Sequence, residues 1–299
     1  MSKKLLLSIT ILLLITNVTT MLLWKNDQSE GTLVEDEKID TKKPVATIAG
    51  TDITYEEWMG SLRVNHGKKE LKNMIDRSIV EKLADESNIT VSDKIIERDI
   101  ALLTTMQGVT KKETLDELEK KWRDDIIYRY QLEALLAQDI QVDEQDIQAY
   151  YTKYKNQYQF NESLQFSHIL VSTMDEAEKI YKELEEGASF PLLAKEYSID
   201  DETKANGGYL GFNSKNTEFL PANYFEIAEE LSEYSFSKPF VTNNGVAILY
   251  LHKYLPEISY SYDELKPYIR SELALQSTDQ HLNSDPLWEK IDINWIYGE

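Results

Sequence analysis

The chain has 299 residues, 41% of them hydrophobic and 28% charged, which suits globular structure, and its length makes two domains the first expectation. Lys and Arg number 32 against 53 Asp and Glu, and the formal charge of −21 argues against nucleic-acid binding, whose affinity comes largely from neutralising phosphates. Cysteine is absent, which excludes disulfides, a thiolate nucleophile, thiolate zinc sites and a lipid joined through an N-terminal cysteine.

Lys3 and Lys4 precede an uncharged, largely apolar run from Leu5 to Trp24. Twenty helical residues at about 1.5 Å each span roughly 30 Å, the thickness of a bilayer core. Residues 17–24 offer no Ala-x-Ala cleavage pattern, so residues 1–24 read as a cytoplasmic tip and an uncleaved transmembrane signal anchor. The positive-inside rule keeps the basic end in the cytoplasm and puts the remaining chain outside the membrane. Residues 25–44, polar, charged and without aromatics, read as a flexible linker.

Residues 45–160 carry helical signals. Thr54 and Glu57 make a capping box ahead of Trp58, Met59 and Leu62, and Leu71, Met74, Ile75, Ile79 and Leu83 keep helical spacing. Ser92 is a cap for Ile96, Ile100 and Leu103. Thr110 with Glu113 reads as a second box opening a long helix through Leu115, Trp122, Ile126 and Leu136, and Asp143 caps a last one. No proline lies between Pro44 and Pro191 to interrupt them.

From Leu164 the pattern changes. The run LQFSHILV reads as a strand, Ser172 with Asp175 as the cap of a helix that Gly187 ends, Phe190–Tyr197 as a second helix, and VAILYL at 246–251 as a closing strand. Residues 161–255 therefore form an α+β domain. Residues 256–299 open with a helix capped by Ser261 and Glu264, and their aromatics Trp288, Trp295 and Tyr297 are expected to pack on the helical region.

Six blocks in order (SHILV, EEGASF, LAKEYSID, GGYLGF, FLPANYFEIAEELSE and SKPFVTNNGVAILYL) resemble the parvulin type of peptidyl-prolyl isomerase domain. The upstream stretch VATIAGTDITYEEW, with the helices after it, resembles the PrsA- and SurA-like extracytoplasmic foldases. The resemblance implies a four-stranded antiparallel sheet flanked by helices, set beside an all-α chaperone domain built from both ends of the chain. It also implies an isomerase that assists the folding of exported proteins through their X–Pro segments, on the outer face of a Gram-positive membrane.

Such chemistry asks for no metal, cofactor or nucleophile. An apolar pocket grips the proline ring while polar groups favour the twisted amide over the planar one. By similarity to parvulins, His168 and Asp200 form the catalytic pair, Leu210, Leu220 and Tyr224 the proline pocket, and Asn244 a polar position beside it. The sequence departs from the family at three points. Ala247 stands where active parvulins usually carry a second histidine, one residue is inserted between Asp200 and the GGYLG block, and Tyr234 stands where a glycine turn is common. Three readings follow: a membrane-anchored isomerase and foldase, a membrane-tethered chaperone whose parvulin domain only binds peptide, or a structural membrane-surface partner with no folding clients.

Overall fold

The structure, a computed structural model, describes residues 33–34, 37–215, 217, 220–278 and 282–298. The expected transmembrane segment lies outside them, and no helix among the described residues is long and apolar enough to cross a membrane. The described chain up to Asp76, together with 293–298, forms one compact unit, and Arg77–Asp292 a second.

In the first unit, β1 (Leu33–Val34) and β2 (Glu37–Lys38) pair antiparallel within the stretch expected to be linker. The region expected to be wholly helical opens instead on a hairpin of β3 (Ala46–Ile48) and β4 (Thr51–Ile53). Ala49 and Gly50 both take positive φ at its turn, the conformation that matches the twist of a two-residue hairpin loop. The Thr54–Glu57 capping box forms as expected at the start of α1 (Tyr55–Leu62). A single π turn (Arg63–Gly67) leads into α2 (Lys68–Glu86). Trp295 and Tyr297 of the tail are half-buried and meet edge to face, with centroids 5.7 Å apart.

The second unit continues with α3 (Asp93–Thr105), α4 (Lys112–Ala137) and α5 (Glu144–Tyr158). Lys111, not Thr110, is the N-cap of α4, and the Thr110 hydroxyl donates to Gly108 O instead. After the parvulin-like region comes α9 (Tyr262–Thr278), whose Leu265 and Ile269 share a buried cluster with Ile95, Ile147, Phe160 and Leu255. Polar contacts fix the same packing. The Tyr268 hydroxyl accepts the Ser92 N–H at 2.9 Å, and Arg270 donates to Ile140 O at 2.9 Å. Asp99 is buried beneath Arg98, Arg129 and the Tyr130 hydroxyl. A 3₁₀ turn at Asp285–Lys290 then buries Leu287.

Between these helices lies the sheet-bearing region. It comprises β5 (Ser163–Val171), α6 (Met174–Glu185), α7 (Phe190–Tyr197), β6 (Tyr209–Asn213), α8 (Tyr224–Glu229), β7 (Ser235–Phe236), β8 (Phe240–Thr242) and β9 (Gly245–Leu255). The cap of α6 is Thr173 with Glu176, one residue beyond the expected pair. All strand pairs are antiparallel in the order β6-β5-β9, and β7 and β8 share the free edge of β9. The sheet thus has five strands rather than the expected four. Pro239 lacks the N–H that would continue the edge ladder, so one expected strand becomes two. At the break, Ser237 N–H still donates to Leu249 O, and the Ser237 hydroxyl accepts the Leu249 N–H at 2.9 Å. Tyr234, entering β7, holds φ at 61°, the left-handed conformation a glycine would take there without cost.

Alternation along β5 and β9 divides the core. Ile169, Val171, Val246 and Ile248 pack on α6 and α7. Leu164, Phe166, Leu170, Ala247, Leu249 and Leu251 face α8 through Tyr224, Phe225 and Ala228. His168 belongs to the α8 side, which makes that face the only one on which it can meet Tyr224.

Candidate active site

His168 sits mid-strand in β5 and is 5% exposed. Its partner arrives by way of the loop after α7. Ile199 N–H donates to Leu170 O at 2.8 Å, and the Ser198 hydroxyl accepts the Leu170 N–H, so the loop is pinned two residues from His168. Asp200 follows, and its Oδ2 lies 2.7 Å from His168 Nε2. The Glu202 N–H donates to Asp200 Oδ1 and fixes the carboxylate from behind, an Asx-type turn. The Thr203 hydroxyl donates to Asp200 Oδ2 at 2.5 Å and stands 3.0 Å from His168 Nε2.

The glycine pair closes the site from the other side. Gly208 O accepts the His168 N–H at 2.8 Å. Gly208 takes φ +76°, and a Cβ there would fall 1.9 Å from His168 O. Only glycine permits that approach, which is the physical content of the GGYLG block.

On the far side of the ring, His168 Nδ1 is 2.9 Å from the Tyr224 hydroxyl. Tyr224 has no exposed surface; its ring meets Phe240 edge to face at 5.5 Å and lies 6.4 Å from Phe166. Leu210, Leu220 and Phe240, all half-buried, pack against the cluster that contains Tyr224. An apolar wall and a buried polar cluster therefore meet at His168.

The protonation states follow from the surroundings. Burial pulls His168 below the ordinary imidazole range, against the pull of the Asp200 carboxylate, so the ring is neutral at pH 7. Burial raises Asp200, but hydrogen bonds from Thr203, His168 and the Glu202 N–H outweigh it and hold the carboxyl below its ordinary value. An ionised carboxylate only accepts, so Nε2 carries the imidazole proton and Nδ1 offers its lone pair to the Tyr224 O–H. Burial pushes the Tyr224 phenol well above its ordinary value, which keeps that proton in place.

Of the six residues singled out in the sequence, five gather here. Asn244 does not: it is exposed in the β8–β9 turn, where its N–H donates to Thr242 Oγ1. Ala247 is fully buried in the same cluster as Tyr224, opposite Leu170 on β5 and Phe240 on β8. The histidine that β9 does carry, His252, faces away, its Nε2 hydrogen-bonded to the Ser167 hydroxyl at 2.8 Å. Two site residues escape sequence reasoning. Phe240 follows Pro239 in an edge strand too short to show a pattern. Thr203 is visible only as the last member of the D-x-x-T turn, once Asp200 is known to accept from it.

Comparison with known proteins accords with this geometry. Residues 142–267 match the model of the PPIC-type PPIASE domain. The chain is 35% identical over 256 residues to YacD of Bacillus subtilis (strain 168), assigned by its name to the peptidyl-prolyl cis-trans isomerases, covering 85% of this chain and 86% of that protein. It is 31% identical over 202 residues to the foldase protein PrsA of Caldanaerobacter subterraneus, covering 66% of this chain and 61% of that one. The crystal structure of PrsA from Bacillus subtilis aligns over 86% of this chain and 95% of its own at 24% identity, with a TM-score of 0.33. At so low a TM-score the family rests on the sequence relatives. The chain belongs to the PPIC-type, or parvulin, peptidyl-prolyl isomerases of the PrsA-like foldase group.

Proposed function

We propose that the protein isomerises X–Pro bonds in exported polypeptides and assists their folding while tethered to the outer face of the cell membrane through residues 5–24. The observation that carries the catalytic reading is the fixed His168–Asp200–Thr203 cluster beside the half-buried apolar side chains of Leu210, Leu220 and Phe240, which pack on the buried Tyr224.

The barrier to isomerisation is lost amide resonance, about 18–20 kcal/mol, and the uncatalysed step takes tens to hundreds of seconds. The planar amide places negative charge on the carbonyl oxygen, and the twisted amide carries less there. An ionised Asp200 facing that oxygen disfavours the planar form more than the twisted one, which is differential binding of the transition state. His168 and Thr203 hold the carboxylate ionised and aimed. The apolar wall holds the proline ring still while the preceding residue turns.

Proline-limited refolding of a substrate protein tests this. His168→Ala and Asp200→Asn are expected to lower the rate about 10²–10³-fold, the usual weight of a positioned polar group in an active site, with the circular dichroism unchanged. A wild-type rate equal to that of His168→Ala moves the protein to the second reading, favoured by Ala247: a tethered chaperone that binds peptide without turnover. The tether has its own test. External protease should digest the folded domains on intact protoplasts, and their survival until lysis would remove the anchor.

A further inference from the structure

We infer that the Tyr224 hydroxyl is a positioning group that holds the His168 imidazole in one tautomer and orientation, keeping the site organised with alanine at position 247. The inference rests on the isomerase reading of the site and adds a role for a residue the sequence places only in the proline pocket.

Asp200 accepts the hydrogen bond from His168 Nε2–H, so Nδ1 is a bare acceptor inside the core, at a residue only 5% exposed. Without a donor, the neutral ring could flip or exchange tautomers, and either change would remove the N–H that bonds Asp200. The Tyr224 hydroxyl is the donor that meets Nδ1, at 2.9 Å.

The tyrosine is itself held for this task. Asn223 turns the chain with φ +69° immediately before α8, and Tyr224 enters the core as the first residue of that helix. Phe240 stands edge to face on the ring, with Phe166 also nearby, and the ring has no exposed surface. The Cβ of Ala247 belongs to the same cluster, and its strand partner on β8 is Phe240. A large side chain at 247 would compete for the volume the Tyr224 and Phe240 rings now fill. The small residue at 247 and the hydroxyl at 224 are therefore complementary: alanine leaves room for the tyrosine ring, and the tyrosine supplies the hydrogen bond.

Tyr224→Phe tests the hydroxyl alone, since the ring and the pocket wall remain. In the full chain, kcat for a proline-limited substrate should fall about tenfold, the weight of one neutral hydrogen bond, while KM stays constant. In ¹⁵N spectra of the imidazole, the His168 Nδ1 resonance should move toward that of an unbonded nitrogen, and the second tautomer should appear. A wild-type kcat together with an unchanged Nδ1 resonance overturns the inference. If the wild type shows no turnover, the isomerase reading fails by itself. The Nδ1 resonance then decides positioning alone: a shift supports it and constancy overturns it. Should Tyr224→Phe fail to fold, the wild type supplies the measurement. A slowly exchanging tyrosine hydroxyl proton correlated with His168 Nδ1 supports the inference, and its absence overturns it.

Discussion

Two histidines of one sheet illustrate how a side chain's role depends on the face it occupies. His168 faces α8 and joins Asp200, whereas His252 faces the other way, bonded to Ser167 and edge-on to Tyr209 and Tyr250. Burial lowers His252 to about 4 from the ordinary imidazole value near 6.5. The unfolded chain then binds more protons than the folded one between those values. Stability from this residue is complete above pH 6.5 and is lost as pH falls toward 4, a difference of about 3 kcal/mol. Denaturant titrations at pH 7.5 and pH 4.5 should show that loss in the wild type and a smaller one in His252→Asn. Equal acid sensitivity in both would assign it elsewhere. Ala247→His carries a different expectation. Restoring the family's histidine is expected to cost about 1–3 kcal/mol by overpacking and to give no gain in isomerase rate, because the site it would enter is filled. A faster enzyme would show that β9 can still present position 247 to substrate.

At the scale of elements, the closing edge of the sheet departs most from expectation. A proline without an N–H splits it, and Ser237 bridges the gap by offering its hydroxyl to Leu249 N–H in place of a backbone carbonyl. Ser237→Ala should leave that buried N–H unpaired and cost about 1–3 kcal/mol in chemical denaturation. A change within about 0.5 kcal/mol would mean that the edge repairs itself. The helix caps behave similarly. Thr54 and Ser261 cap where the S/T-x-x-E pattern puts them, and Thr173 takes the role given to Ser172 because Glu176 lies three residues beyond it. Thr173→Ala is expected to cost about 1 kcal/mol.

For the whole molecule, the charge of −21 is the property that acts at a distance. An acidic chaperone draws basic unfolded chains by steering, and salt screens that attraction over a Debye length of about 10 Å at 0.1 M. Association with a basic unfolded client should slow steeply as salt rises from about 0.05 to 0.5 M, while an acidic client should gain. Salt-independent rates for both would remove charge from client selection. The helical and sheet-bearing regions are also joined more closely than a chain of separate domains implies. Leu255 at the end of β9 shares a core with Ile95 of α3 and Ile269 of α9, and Lys253 pairs with Glu119 of α4 at 3.1 Å.

The sequence by itself determined the family and most of the helices and long strands, and it named six candidate site residues, five of which the fold brings close together, because these features are written locally. A strand alternates, a cap spaces Thr and Glu by three, and the SHILV, YSID and GGYLG blocks fix residues whose backbone geometry tolerates little else. Only the tertiary structure decided what those residues touch. Asn244 follows the same ordered blocks and still ends in an exposed turn. Thr203 carries no pattern of its own and enters the site through its contacts with Asp200 and His168 Nε2. Tyr224 looks apolar in a sequence of pocket residues, and its hydroxyl acquires meaning only when α8 brings it to within 2.9 Å of His168 Nδ1. Local pattern specifies backbone conformation and burial. The pairing of polar atoms from residues 32 and 56 positions apart depends on how the elements pack, which no local window contains.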